Sequence, residues 1–143
     1  MILEKSFHLR LSEPPEHLLQ PERVFAGKPP FGELIRQDTT LQGHLVAEAP
    51  LFGEIQMPFH SRIHPQGRAA RLEALPLPDP PAFWAELEGH GEVVEGGLAY
   101  QLTLRIHASW PQGEKWGGRA LSRLAEAAFE RNVQRVLERL AQT

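Results

Sequence analysis

The 143-residue sequence predicts an α+β fold: a curved antiparallel sheet of about seven strands wrapped on a long C-terminal helix, with two short helices after the first strand. Three observations predict it. Apolar residues alternate with a period near two at the N-terminus and again between 33 and 108. Glycine and proline punctuate that second stretch at hairpin intervals. The C-terminal segment then switches to the spacing of a helix face.

In the first strand, Ile2 to Leu11, Leu3, Phe7, Leu9 and Leu11 fall on one side, and Glu4, Ser6, His8 and Arg10 on the other. Ser12-Glu13-Pro14-Pro15-Glu16 follows with a capping hydroxyl, prolines suited to a first turn and an acid near the positive helix end. A short helix is therefore expected through Leu19. Pro21 ends it, and Pro21 to Phe25 starts a second helical turn that Gly27 closes.

Weaker strands are expected from Glu33 to Asp38 and from Leu41 to Glu48. The strongest is Glu54 to His64, where Ile55, Met57, Phe59 and Ile63 alternate with Glu54, Gln56, His60, Arg62 and His64. Pro65-Gln66-Gly67 turns the chain into Arg68 to Leu75. Prolines at 76, 78, 80 and 81 make a stiff extended connection that cannot donate ladder hydrogen bonds. Trp84 to Val94 and Leu98 to Ala108 flank Glu95-Gly96-Gly97, whose paired glycines permit the positive φ of a hairpin turn.

After Gly113-Glu-Lys-Trp-Gly-Gly118, apolar residues recur at 121, 124, 125, 128, 129, 133, 136, 137 and 140. A helix of about 25 residues would span roughly 37 Å. At 100° per residue the apolar arc from Leu121 to Phe129 centres on one direction, and that from Phe129 to Leu140 about 90° further round. A flat partner cannot cover such a surface, whereas a twisted sheet curling around the helix can.

Composition bounds the function. The length suits one domain over 1–143, and the chain shows no internal repeat or low-complexity linker. No run approaches the roughly 20 apolar residues of a membrane-spanning helix, and MILEKSFHLR carries acid and base where a signal peptide needs an apolar stretch, so a cytoplasmic location is expected. The absence of cysteine excludes disulfides, thiolate metal sites and thiol redox chemistry. A net charge of −3 offers no general attraction to nucleic acid, and no nucleic-acid partner is expected. Twelve arginines against three lysines, thirteen prolines and Asn132 as the only asparagine suit a thermophilic source, although codon bias alone produces the same skew.

This order of elements, together with the proline-helix-Pro21-Glu22 break, Leu51-Phe52-Gly53-Glu54-Ile55 before a strand and Trp110-Pro-Gln-Gly before the helix, resembles the START-like, or helix-grip, superfamily, also called SRPBCC. Within it the chain looks most like the G subunit of carbon monoxide dehydrogenase and small uncharacterised bacterial families. The resemblance spans the whole chain. It implies a curved sheet gripping the C-terminal helix around an apolar cavity, with binding of lipids, hormones or polyketides and, in a few members, cyclisation or hydrolysis. No acid–base pair is recognisable on the inward rows here, and Glu54 and His60 fall on the opposite strand face. A carrier or sensor of an apolar small molecule or lipid is therefore expected before a cyclase- or hydrolase-type enzyme, and no catalytic residue or cofactor is assigned.

The walls of such a cavity would be Met57, Phe59, Tyr100, Leu102, Leu104, Leu124, Ala128 and Phe129, with Ala125 and Ala128 leaving space beside the sheet that leucine would fill. The same residues would also serve as a sealed core. Tyr100, the only tyrosine, needs a hydrogen-bond partner if buried: a ligand, the backbone or water.

Two constellations fail on spacing. His60 and His64 would suit a metal on a helix, but on a strand, at about 3.3 Å per residue, they stand roughly 13 Å apart. His8, His44, His90 and His107 could approach only across strands, so no metal site is assigned. The glycine-rich loop 113–118 lacks the order of a phosphate loop. The helix carries five arginines against three glutamates, and Arg131, Arg135 and Arg139 repeat at four. That stripe either pairs with the acidic body or docks on a membrane surface or a protein partner, as the likeness to the dehydrogenase component implies.

Overall fold

A computed structural model describes residues 1–50, 52–110 and 118–141. The chain runs β1 (Ile2–Leu11), a 3-10 turn (Pro15–Leu19), α1 (Pro21–Val24), β2 (Phe31–Gln37), β3 (Thr40–Ala49), β4 (Gly53–Gln66), β5 (Ala69–Ala74), β6 (Phe83–Val94), β7 (Gly97–Ala108) and α2 (Gly118–Ala141). All seven strands form one antiparallel sheet in the order β1-β7-β6-β5-β4-β3-β2. This is a helix-grip fold: the curled sheet closes on α2, which packs against β1 at one edge of the strand order and β3 beside the other.

The period-two reading transfers directly. Leu3, Phe7, Leu9 and Leu11 of β1 and Leu98, Tyr100, Leu102, Leu104 and Ile106 of β7 are all buried on the inner face. The pair stays in register over its length, from Ile2 opposite His107 to Leu11 opposite Leu98. Gly96 takes φ 84° in the β6–β7 turn, which paired glycines were expected to allow.

Three expectations need correction. Ser12 does not cap the first turn, which starts after Pro14 in extended conformation (ψ 148°) with no side-chain cap. The cause is Pro15, whose ring excludes the helical region for the residue before it, so the turn can begin only at Pro15 itself. Pro65 and Gln66 remain in β4, opposite Ala70 and Ala69, which leaves only the Gly67-Arg68 turn.

The third concerns α2. Its buried residues are Ser122, Ala125, Phe129, Val133, Leu137 and Leu140, whose direction drifts by roughly 40° between Ser122–Phe129 and Phe129–Leu140 rather than by the expected 90°. At 100° per residue these six lie within roughly 60° of one direction, and Leu124 points roughly 160° away from it. Leu124 is accordingly 67% exposed. Small residues, Ser122 and Ala125, occupy the inward positions of the first turns, so the leucines there are displaced sideways or outward. Residues 111–117, which include the glycine-rich loop 113–118 except Gly118 and most of the Trp110-Pro-Gln-Gly segment, and Leu51 lie outside the described residues.

Candidate functional site

Six of the eight residues expected to wall a cavity meet on the inner side of the grip: Met57, Phe59, Tyr100, Leu102, Leu104 and Phe129 belong to one buried cluster. Ala128 is half-buried at its margin, and Leu124 stands outside it in solvent. Met57 and Phe59 come from β4, and Tyr100, Leu102 and Leu104 from β7. Phe129 from α2 reaches the same core through Trp110, edge to face at 5.4 Å.

Tyr100 carries one of the few polar groups in this interior, beside Ser61, Ser122 and the Trp110 indole nitrogen. Its side chain occupies a bay created by the missing side chain of Gly91 on β6, directly opposite in register: a Cβ there would lie 2.5 Å from the tyrosine ring. The ring packs edge-on to Phe25 at 5.3 Å, and Phe25 lies against Phe31 at 4.6 Å. Tyr100 is 4% exposed, and its hydroxyl oxygen has no hydrogen-bond partner among the described residues. A buried hydroxyl left without a partner costs about 1 to 3 kcal/mol.

Burial pushes the Tyr100 phenol well above its ordinary value, and the nearby Glu13 carboxylate pushes it in the same direction. It therefore stays neutral at working pH and can donate a hydrogen bond. Because the folded state holds this proton more tightly than the unfolded chain, its contribution is intact below the unfolded phenol value of about 10 and is lost as pH rises beyond it. The chain has one tyrosine, so the phenolate absorbance band reports this residue alone. We expect that band to be absent from the folded protein when free tyrosine is already ionised and to appear together with alkaline unfolding. Reversible ionisation at the ordinary value with the fold intact would show that the hydroxyl is open to solvent.

A polar rim that the sequence reading missed lies between the core and solvent. His17 Nδ1 and Glu13 Oε2 are 3.0 Å apart, and Lys28 Nζ sits 3.8 Å from Glu13 Oε1 while donating to the Val24 carbonyl at 2.8 Å. The i,i+4 spacing of Glu13 and His17 was visible, but the return of Lys28 onto them depends on how the 25–30 segment folds back. Beside this rim, Gly27, Lys28 and Pro29 face Val136, Arg139 and Leu140 across a crevice of about 230 Å³. Leu140 lines the crevice and also belongs to the buried core.

Of the arginine stripe, Arg131 and Arg135 are exposed and border a shallow groove with Lys5 and Glu130, whose side chains pair at 3.3 Å, whereas Arg139 borders the crevice. Among the described residues no three histidine, aspartate or glutamate side chains come together at metal-holding distance, and His64 faces Glu73 at 3.1 Å. No helix of the described residues is long and apolar enough to cross a membrane.

The family model described as "Protein of unknown function (DUF3809)" matches residues 6–138. No curated protein matches the sequence. Among solved structures, one from Thermus thermophilus aligns at 15% identity over 99% of this chain and 95% of its own, with a TM-score of 0.49. The STAR-related lipid transfer protein of Xanthomonas axonopodis aligns at 19% identity over 98% of this chain and 86% of its own, TM-score 0.48. The Zhui aromatase/cyclase from Streptomyces sp. R1128 aligns at 13% identity over 98% and 88%, TM-score 0.45.

Proposed function

The chain belongs to the DUF3809 family, whose description assigns no activity, and from that premise we propose that it binds an apolar small molecule or lipid between the sheet and α2, as a carrier or sensor. The observation that carries the proposal is the Tyr100 hydroxyl: a neutral donor, fully enclosed and, like the Trp110 indole nitrogen, without a partner among the described residues, in the same buried cluster as Met57, Leu102, Leu104 and Phe129. Such a donor suits a ligand with an apolar body and a single polar atom, which the hydroxyl would orient. Entry would be at the crevice, by parting the Gly27–Pro29 segment from the last turn of α2. Lys28, held by the Val24 carbonyl and Glu13, is the latch of that segment.

Tyr100→Phe separates binding from stability because the two should move in opposite directions. Removing an unpartnered hydroxyl without changing ring volume should stabilise the empty protein by about 1 kcal/mol, a rise in Tm of roughly 4 °C. The same change should weaken any ligand that uses the hydroxyl by about fivefold or more. Native mass spectrometry of the purified protein, with solvent extraction of anything retained, identifies the ligand class, and thermal shifts with fatty acids and aromatic compounds rank candidates. A bare mass, with no thermal response to any of these probes, would count decisively against the proposal.

A further inference from the structure

The outer face of the sheet divides into two halves of different character. On β1, β6 and β7 several polar side chains pair with one another. Arg105 donates to Glu4 at 3.0 Å and to Glu88 at 2.9 Å, His107 and Glu86 pair at 2.7 Å, and the Ser6 and Thr103 hydroxyls meet at 2.9 Å. On β2, β3 and β4, where Arg36 pairs with Glu22 and His64 with Glu73, one contiguous group does not. Glu33, Gln42, His44, Gln56 and His60 have no side-chain hydrogen bond or ion pair among the described residues, yet all five line one hollow of about 680 Å³. The Nε2 atom of His60 is enclosed and has no partner among the described residues.

The hollow is constructed by the fold rather than left over from it. Leu75 extends the β5 ladder by donating to the His60 carbonyl at 2.8 Å, and the proline-stiffened chain that follows places Leu77 and Pro78 as a wall over the outer face of β4. The opposite side depends on Gly32, where a Cβ would lie 2.3 Å from His44 Nε2, so only glycine lets that imidazole lie against the β2 backbone. Ile35, half exposed, and Pro58 add apolar surface. A volume of this size falls within the range of small-molecule sites, roughly 300 to 1,000 Å³.

The chemistry of the lining selects the ligand. Its one fixed formal charge is the Glu33 carboxylate, and the two imidazoles and two carboxamides offer both acceptor and donor atoms that can complement an ammonium and its neighbours. An anion would be repelled by Glu33. A fully apolar molecule would strand five polar groups. We infer that this outer groove is a second binding site, separated from the grip interior by the thickness of the sheet, for a small organic cation: a protonated amine on an apolar body, with the ammonium toward Glu33 and the body against the Leu77–Pro78 wall.

The test uses three probes of equal tail, octylammonium, octanoate and octanol, titrated into the isotopically labelled full-length protein while amide shifts are followed. Octylammonium should move the amides of 33–44, 56, 57, 59 and 60 saturably, while octanoate leaves them in place and octanol binds more weakly than the amine. Glu33→Gln should weaken octylammonium by about threefold or more. Gln42→Trp, at an exposed position, should fill the hollow and abolish binding without altering Tm, and Tyr100→Phe should leave it unchanged. Equal binding of octanoate and octylammonium, an unaltered affinity in Glu33→Gln, or no saturable response would each overturn the inference. Shifts confined to 27, 28 and 136–140 would do so too, while supporting the interior site.

Discussion

Replacing Phe129 with alanine should destabilise the protein by about 3 to 5 kcal/mol, lowering Tm on the order of 10 to 20 °C. Phe129 is 0% exposed, so its whole ring is lost from a packed interior. Its position magnifies the effect, because the ring meets Trp110, and Trp110 in turn meets Phe52 at 5.5 Å and Phe83 at 5.1 Å, each edge to face. One side chain of α2 thus keys into a cluster drawn from the β3–β4 turn, the start of β6 and the end of β7. Against a total stability of about 5 to 15 kcal/mol, that loss is a large share of what holds the protein folded. Urea denaturation measures the loss, and limited proteolysis within 118–141 shows where it acts. Leu124→Ala is the control: at 67% exposed it should change stability by less than about 0.5 kcal/mol. If the two substitutions cost the same, α2 is not seated as described.

That contrast also marks what was legible in the sequence. Strands β1 and β7 could be read residue by residue because alternation is a local property and each presents one face to the core. The helix could be located but not oriented in detail. Counting every apolar residue as inward drew Leu124 and Ala128 into the face and left out Ser122, which is buried at 8%. Direction on a helix is set by what the partner surface leaves room for, and near the first turns of α2 that is a serine and an alanine. The two hollows were less accessible still. The crevice needs Gly27–Pro29 to meet Val136–Leu140, and the outer groove needs the proline-rich connection to fold over β4; both contacts join segments far apart in sequence. His60 was correctly placed on the outward strand face, but alternation alone does not show that the outward face carries a groove.

Gly89 and Gly91 carry a sharper prediction, because they forbid side chains for different reasons. Glycine inside a strand signals a close approach of something else, and the repeat Glu88-Gly89-His90-Gly91 carries two. At Gly89, φ is 144° and a Cβ would lie 2.1 Å from the Gln101 carbonyl oxygen, so the obstacle is the β7 backbone itself. At Gly91 the obstacle is a side chain, the Tyr100 ring at 2.5 Å. Gly89→Ala should therefore cost about 3 kcal/mol or more in any background, since relief requires breaking the β6–β7 ladder. Gly91→Ala should also destabilise, by about 1 to 3 kcal/mol, but mainly while the ring is present. In a Tyr100→Ala background the penalty at position 91 should shrink, leaving only the Leu18 methyl at 3.2 Å in the way, while that at 89 persists, a coupling that a double-mutant cycle by chemical denaturation reads directly. Equal penalties for Gly91→Ala with and without the ring would mean that Gly91 does not exist to seat Tyr100. The argument for an enclosed, oriented hydroxyl in the grip would then lose its structural basis. The predicted coupling would instead establish that this bay is encoded by a glycine placed opposite the chain's single tyrosine.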